Sequence, residues 1–203
     1  MFFANNMRLY LGVGTLIAML GCGGGKIPPT HYYTLNLSAP APAPTRLKYS
    51  GVVMPLQATQ VIERDHIVYR ESREEVGFYE YHRWAEDPRE EVANALTKQL
   101  LARGSFASLT SFDGRTKSDY VLRGSISRLE EVDYDSPVSV AVEISLELVD
   151  AESAKVVWSD VATKTGPVMS GDVRSVVSGL SQAADQSISE LVGKLDSYMR
   201  SIS

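Results

Sequence analysis

The sequence predicts an α+β fold, a two-layer domain in which a largely antiparallel sheet carries two main helices on one face. Apolar and polar residues alternate strictly from Pro137 to Val149, which is the period of a strand with one buried face. Two segments, beginning near Asp87 and Asp172, repeat apolar residues at the 3.6-residue spacing of an amphipathic helix. The predicted order, β-β-β-β-α-β-β-β-α, groups the strands in runs, as is typical of α+β domains.

Four strands are predicted before the first helix. Aromatic and β-prone residues predict strands at 32–37 and 50–55, and the Ala-Pro stretch 38–44 between them favours extended polyproline II backbone. Segments 66–70 and 76–82 flank a short charged turn, so they predict a hairpin.

The first helix is predicted to begin at Asp87 and to stop near Arg103. Asp87 can cap it, Pro88 suits the first helical position, and Glu90 is placed to complete a capping box. Gly104 is a residue typical of the C-terminal cap. The apolar stripe of this helix consists of Val92, Ala95, Leu96 and Leu100, with Ala93 beside it.

Three strands are predicted in the second half of the chain. The alternating strand at 137–149 is expected to pair with 119–130 before it and 155–165 after it. The short segment 150–154 joins the last two strands as a hairpin.

A long helix is predicted at the C-terminal end, with Ser170 or Asp172 as its cap. Its apolar residues keep helical spacing over about seven turns. They are Val173, Val177, Leu180, Ala184, Ile188, Leu191, Leu195 and Tyr198.

The front of the chain predicts a lipoprotein signal peptide over residues 1–21. Its apolar run of about 12 residues, 9–20, is the length of a signal-peptide core and is too short to span a bilayer of ~30 Å as a helix. The residues before Cys22 resemble the bacterial lipobox, whose cysteine receives diacylglycerol; they are Met19, Leu20 and Gly21. That resemblance implies that Cys22 is the lipid attachment residue and carries a diacylglycerol and an N-acyl chain, with no other cofactor.

Other roles for Cys22 fit the sequence less well. It is the only cysteine of the chain, so it has no partner for an internal disulfide. A nucleophile needs a base held nearby by structure. A buried thiol is hard to reconcile with the three glycines that follow, residues 23–25.

Residues 22–30 are predicted to be a short tether, and residues 31–203 a single domain. The tether has about eight residues after Cys22, which span about 15 Å on average and under about 30 Å at full stretch. The domain is therefore expected to sit close to its membrane. Gly23 predicts the periplasmic face of the outer membrane, because aspartate at this position favours inner-membrane retention in enterobacterial sorting.

Charge and motifs exclude several classes of function. A net charge of −5 argues against nucleic acid as a partner. The three histidines, His31, His66 and His82, form no metal-binding motif, and Arg64 amid the acidic turn at 63–66 favours a solvated turn over a metal site. No nucleophile elbow or phosphate loop is present in the sequence, so an enzyme is not expected.

Aromatic residues concentrate in the first half of the domain, where they have two interpretations. They could line a sheet face covered by the helices, or some could form an interface, where Tyr, Trp and Arg are enriched. The candidates for a partner interface are Tyr32, Tyr33, Leu35, Tyr79, Arg83 and Trp84.

These residues together resemble the PqiC-like ABC-transport auxiliary lipoproteins. The most specific pieces are Tyr-Tyr-Thr-Leu at 32–35 and Arg-Trp-Ala-Glu at 83–86, supported by Met-Pro at 54–55, Ile-Val-Tyr-Arg at 67–70 and the long last helix. The resemblance covers essentially the whole mature chain.

The resemblance implies an outer-membrane lipoprotein that accompanies an MCE-type ABC lipid transport system involved in envelope integrity. Its implied partner is an MCE-domain protein, and a ring-like homo-oligomer is plausible because MCE proteins assemble as rings. Two alternatives stay open: an independent lipid-binding carrier, and a regulator or scaffold of another periplasmic complex.

Overall fold

The structure is a computed structural model that describes residues 28–40 and 45–203. These residues contain nine strands and two helices. In chain order they are β1 (His31–Tyr33), β2 (Ser50–Val53), β3 (Gln57–Ala58), β4 (His66–Arg70), β5 (Val76–Trp84), α1 (Pro88–Arg103), β6 (Ser108–Ser111), β7 (Tyr120–Val132), β8 (Ser139–Asp150), β9 (Val156–Pro167) and α2 (Val173–Ser201). The predicted α+β class is confirmed. The predicted signal peptide, the lipobox with Cys22, and tether residues 22–27 lie outside the described residues.

Strand β7 is the centre of the sheet. Along one side it pairs with β8, from Tyr120 opposite Asp150 to Val132 opposite Ser139, and β9 follows beyond β8. Along its other side run β2, β3 and β4, one after another and all parallel to it. A single long strand thus pairs directly with four others.

The sheet is mixed, with its long ladders antiparallel. β5 is antiparallel to β4, and β1 lies parallel to β5 as an edge strand. β6 pairs parallel to β2. The predicted hairpins β4–β5 and β8–β9 are confirmed, whereas β3, β6 and the short parallel ladders were not predicted.

Both helices begin at the predicted aspartates. Asp87 accepts a hydrogen bond of 2.9 Å from the Arg89 amide, and Asp172 accepts one of 2.7 Å from the Ser175 amide. Asp87 also binds the guanidinium of Arg89, and no bond from the Asp87 amide to the Glu90 side chain is present in the described part of the chain. The second half of the predicted capping box is therefore not formed.

The hydrophobic core lies between the sheet and the two helices. The apolar residues that alternate along β8 are fully buried in it, as predicted: Val140, Val142, Ile144, Leu146 and Leu148. They pack with the apolar stripes of α1 and α2, so both helices cover the same face of the sheet. Among the described residues, no helix combines the length and apolar character needed to cross a membrane.

The segment after β1, residues 35–38, crosses the helices as a strap. The amide of Leu35 donates to Glu91 of α1 at 3.1 Å, and the amides of Asn36 and Ser38 donate to Ser181 and Asp185 of α2 at 3.0 and 2.9 Å. The prediction of a strand through residue 37 was wrong. The backbone amides of the strap donate hydrogen bonds to helix side chains and not to a neighbouring strand.

Candidate partner-binding surface

The pairing of β1 with β5 brings together four of the six predicted interface residues. Tyr32 lies opposite Arg83, and Tyr33 opposite Trp84. Successive side chains of a strand point to opposite faces. Because Trp84 is in the core, Tyr33 lies on the helix-bearing face, and Tyr32 and Arg83 lie on the open face.

Two of the six predicted residues are buried. Leu35 is 7% exposed and Trp84 is 5% exposed, and both belong to the hydrophobic core. In this conformation neither presents a surface to a partner. The core interpretation of the aromatics applies to Trp84.

Tyr32 is the most exposed of the predicted residues, at 65% of its surface. Its register partner Arg83 donates a hydrogen bond of 2.6 Å to Asp65, and that bond lowers the pKa of the Asp65 carboxyl. Asp65 also lies 2.9 Å from Nδ1 of His66. The predicted acidic turn is thus engaged by neighbouring side chains.

Five rings on the helix-bearing face form what we call the aromatic cluster: His31, Tyr33, Tyr69, Tyr79 and His82. The imidazoles of His31 and His82 stack with centroids 5.3 Å apart. The rings of Tyr33 and Tyr79 lie 5.7 and 5.8 Å from His82, and Tyr69 lies 4.9 Å from Tyr79. The hydroxyl of Tyr33 is 2.9 Å from Nδ1 of His82.

A carboxylate at the end of β7 supports the cluster. The hydroxyl of Tyr79 donates a bond of 2.6 Å to Glu131, which is 7% exposed. Burial raises the pKa of Glu131 and also that of Tyr79. Burial and the neighbouring His31 lower the pKa of His82. Three rings of the cluster, those of Tyr33, Tyr79 and His82, are held by hydrogen bonds, and the exposed Tyr32 lies on the opposite face of β1.

Four residues of the cluster and its support were not predicted as site residues: His31, Tyr69, His82 and Glu131. Strict alternation along β5 predicts that Tyr81 shares a face with Tyr79. An irregularity in the β4–β5 register shifts the alternation, and His82 contacts Tyr79. Nothing in the local sequence marks that irregularity or the pairing of β1 with β5.

A separate groove of about 360 Å³ lies beside the first turns of α1. Val53, Leu56 and Phe112 contribute apolar surface, and charged residues, among them Arg89 and Glu90, line it as well. This open, partly charged groove differs from the enclosed apolar cavity that a lipid carrier needs. In the ranges that the structure describes, no three His, Cys, Asp or Glu side chains are placed to hold a metal ion.

Comparison with known proteins identifies the family to which this chain belongs. A family model described as "ABC-type transport auxiliary lipoprotein component" matches residues 33–192. No curated protein sequence matches the chain.

Several solved structures share the fold. Protein XCC0632 from Xanthomonas campestris, of the family DUF330, is 23% identical with a TM-score of 0.73 and covers 85% of this chain and 100% of its own. An uncharacterized protein is 14% identical with a TM-score of 0.64, covering 83% of this chain and 99% of its own. The hypothetical protein CT253 from Chlamydia trachomatis is 11% identical with a TM-score of 0.50, covering 75% and 98%. These similarities show the fold alone.

Proposed function

Because this chain belongs to the family of ABC-type transport auxiliary lipoprotein components, we propose that it is the outer-membrane-anchored accessory subunit of an MCE-type ABC lipid transport system. In this proposal it docks an MCE-domain protein and performs no catalysis itself. The proposal rests on the family and on the geometry of the β1–β5 edge.

The observation that carries the proposal is the position of the exposed tyrosine. Tyr32 lies in the middle of β1, an edge strand that directly follows the predicted tether. Eight residues separate His31 from Cys22, so β1 lies within about 30 Å of a lipid on that cysteine. A partner that reaches the outer membrane from the other side of the periplasm would meet this edge close to the lipid surface.

The chemistry of this edge suits a protein partner. Exposed tyrosine and arginine are enriched at interfaces, where a few such residues carry most of the binding energy. Tyr32 and Arg83 are register partners on adjacent strands, and Arg83 is oriented by Asp65. Little conformational entropy is lost when preorganised side chains bind.

The same proposal includes a homo-oligomer. If several copies surround the end of an MCE ring, each copy would present its β1 edge to the partner, and all anchors would face one membrane. A cyclic arrangement satisfies both conditions.

Site-specific photocrosslinking in intact cells tests the docking proposal. A photoreactive phenylalanine analogue replaces Tyr32 in the full-length lipoprotein. The matched control places it at Val161, which is 52% exposed on β9, the edge strand on the opposite side of the sheet. We expect an MCE-domain protein to be captured from position 32 and not from position 161.

Three other results would contradict the proposal. Capture of a cell-wall enzyme alone would favour the regulator alternative. Co-purification of phospholipid with the protein, without any MCE partner, would favour the carrier alternative. Equal capture of an MCE-domain protein from positions 32 and 161 would remove the assignment to the β1 edge.

A further inference from the structure

We propose that His31 and His82 form a two-histidine site for a divalent transition-metal ion that prefers imidazole nitrogen, with Cu²⁺ bound most tightly. Neutral imidazole is a ligand of copper, nickel and zinc, and Cu²⁺ heads the usual order of affinity among the divalent ions of this row. Solvent would complete the coordination. This inference is independent of the docking proposal.

The β1–β5 pairing places the two imidazoles side by side. His31 and His82 are register partners on adjacent parallel strands, and their rings stack with an angle of 19° between the planes. Metal–nitrogen bonds of about 2.0–2.1 Å require the two ligating nitrogens to lie within about 4 Å of each other, and about 3 Å apart when they occupy adjacent coordination positions. The ring centroids are 5.3 Å apart and the rings are stacked, so one imidazole must turn for a nitrogen of each ring to face the same ion.

The side chains of the two histidines differ in how firmly their neighbours hold them. His31 is exposed, and within the described ranges its ring makes no hydrogen bond, so it is free to turn toward its neighbour. His82 is held by Tyr33 at Nδ1 and by the edge-on ring of Tyr79. One ligand is therefore fixed and the other is adjustable.

Tyr33 also has the position of an outer-shell partner. Metal-binding histidines usually use one ring nitrogen for the metal and donate a hydrogen bond from the other. The contact of 2.9 Å with Nδ1 leaves Nε2 of His82 for the ion, and the Tyr33 hydroxyl can accept the proton of Nδ1.

An ion at this position would join β1 to β5. β1 has three residues and directly follows the predicted tether, so the ion would fasten the first strand of the domain to the rest of the sheet.

Metal titration of the full-length lipoprotein in detergent, purified without a histidine tag, tests the inference. Calorimetry with Cu²⁺ and Zn²⁺ is run on the wild type and on His31→Asn, His82→Asn and His66→Asn. His66 is the matched control, because it is the remaining histidine and lies beside Asp65 on the open face. We expect one Cu²⁺ per chain, an affinity at least about tenfold lower in His31→Asn and His82→Asn, and no change in His66→Asn.

Two further measurements can still test the proposal if His82→Asn is poorly folded. Electron paramagnetic resonance of the bound Cu²⁺ should show two nitrogen ligands in the wild type and one in His31→Asn, whose side chain is exposed. Tyr33→Phe should lower the affinity by about tenfold. Absence of saturable binding at millimolar metal, or equal affinity in the wild type and His31→Asn, would overturn the proposal.

Discussion

Glu131 carries a charge that the folded domain accommodates poorly. Its carboxyl is 7% exposed, and burial raises its pKa above the ordinary value of 4.5 despite the hydrogen bond from Tyr79. The folded state therefore holds this proton more tightly than the unfolded state. The stability contributed by the protonated carboxyl is fully present below the unfolded pKa and is lost as the pH rises through the folded one.

Glu131→Gln removes this charge and keeps an oxygen that can accept the bond from Tyr79. We expect the variant to lose much of the decline in unfolding free energy that the wild type shows between about pH 4.5 and neutral pH, and to be more stable than the wild type at pH 7. Urea denaturation at a series of pH values measures this difference.

Glu190→Gln is the control with the opposite sign. Lys164 and Lys194 lower the pKa of Glu190 to about 2, so its stabilising effect is present above its ordinary pKa of 4.5 and is lost as the pH falls toward 2. This variant should be less stable than the wild type at pH 7. If Glu131→Gln behaved in the same way, burial would not be the dominant influence on Glu131.

At the scale of the elements, the end of α1 depends on a close approach. Gly104 has φ of 74°, and a Cβ at this position would lie 2.1 Å from the carbonyl oxygen of Thr45. Left-handed backbone costs a residue with a side chain about 1–2 kcal/mol, and the clash with Thr45 adds to that cost. We therefore expect Gly104→Ala to lower the unfolding free energy by about 2 kcal/mol or more in chemical denaturation.

Substitutions at two other glycines distinguish the cost of left-handed backbone from the cost of the clash with Thr45. Gly114 has φ of 72°, and a Cβ added there would lie 4.0 Å from the nearest atom, on the ring of Phe112. Gly114→Ala should therefore show the backbone cost alone. A Cβ added at Gly171 would meet no atom within 4 Å, so Gly171→Ala should leave the unfolding free energy nearly unchanged. Equal losses in Gly104→Ala and Gly114→Ala would show that the contact with Thr45 relaxes freely.

The strap is the second element whose attachment can be tested. Glu91→Ala removes the acceptor for the Leu35 amide, and an unsatisfied, partly buried amide costs about 1–3 kcal/mol. We expect faster cleavage within residues 35–40 in limited proteolysis. Glu90→Ala, at an exposed neighbour on the same helix, should leave the cleavage rate unchanged.

The elements that the sequence predicts well are those with many periods of a pattern. β8 and α2 repeat their apolar residues often enough to identify both the element and its buried face. β3 has two residues and β6 is mostly polar, so neither contains a usable period. β1 ends early because Glu91 and Asp185 bind its continuation, and no local pattern records contacts with residues so distant in the chain.

The candidate site was predictable only in part for the same reason. The density of aromatics near Tyr32 and Tyr79 marks the region. Whether a given ring is exposed, like Tyr32, or buried, like Trp84, depends on which face of the β1–β5 pair it occupies. The participation of His31 and Glu131 depends on strands far apart in sequence.

At the scale of the whole molecule, the family identifies a lipoprotein, and the proposed outer-membrane location depends on Gly23, the residue after the predicted lipidated cysteine. We expect Gly23→Asp to move the protein from outer-membrane to inner-membrane fractions of an enterobacterial host in a sucrose gradient. Cys22→Ser should abolish lipid labelling and serves as the control for anchoring. Wild-type protein in inner-membrane fractions would contradict the proposed location.

The direction in which the chain enters the sheet has a mechanical consequence. β1 is entered from its N-terminal end and runs parallel to β5, so a pull on the chain before His31 that is directed along the strand axis would load the hydrogen bonds of this ladder in shear, all at once. Peeling would instead break them one at a time and at lower force. Behind β1, the bonds of the strap to α1 and α2 form a second point of resistance. If the N-terminus is anchored as proposed, a pull between the membrane and a bound partner would load the β1–β5 ladder first and the strap next.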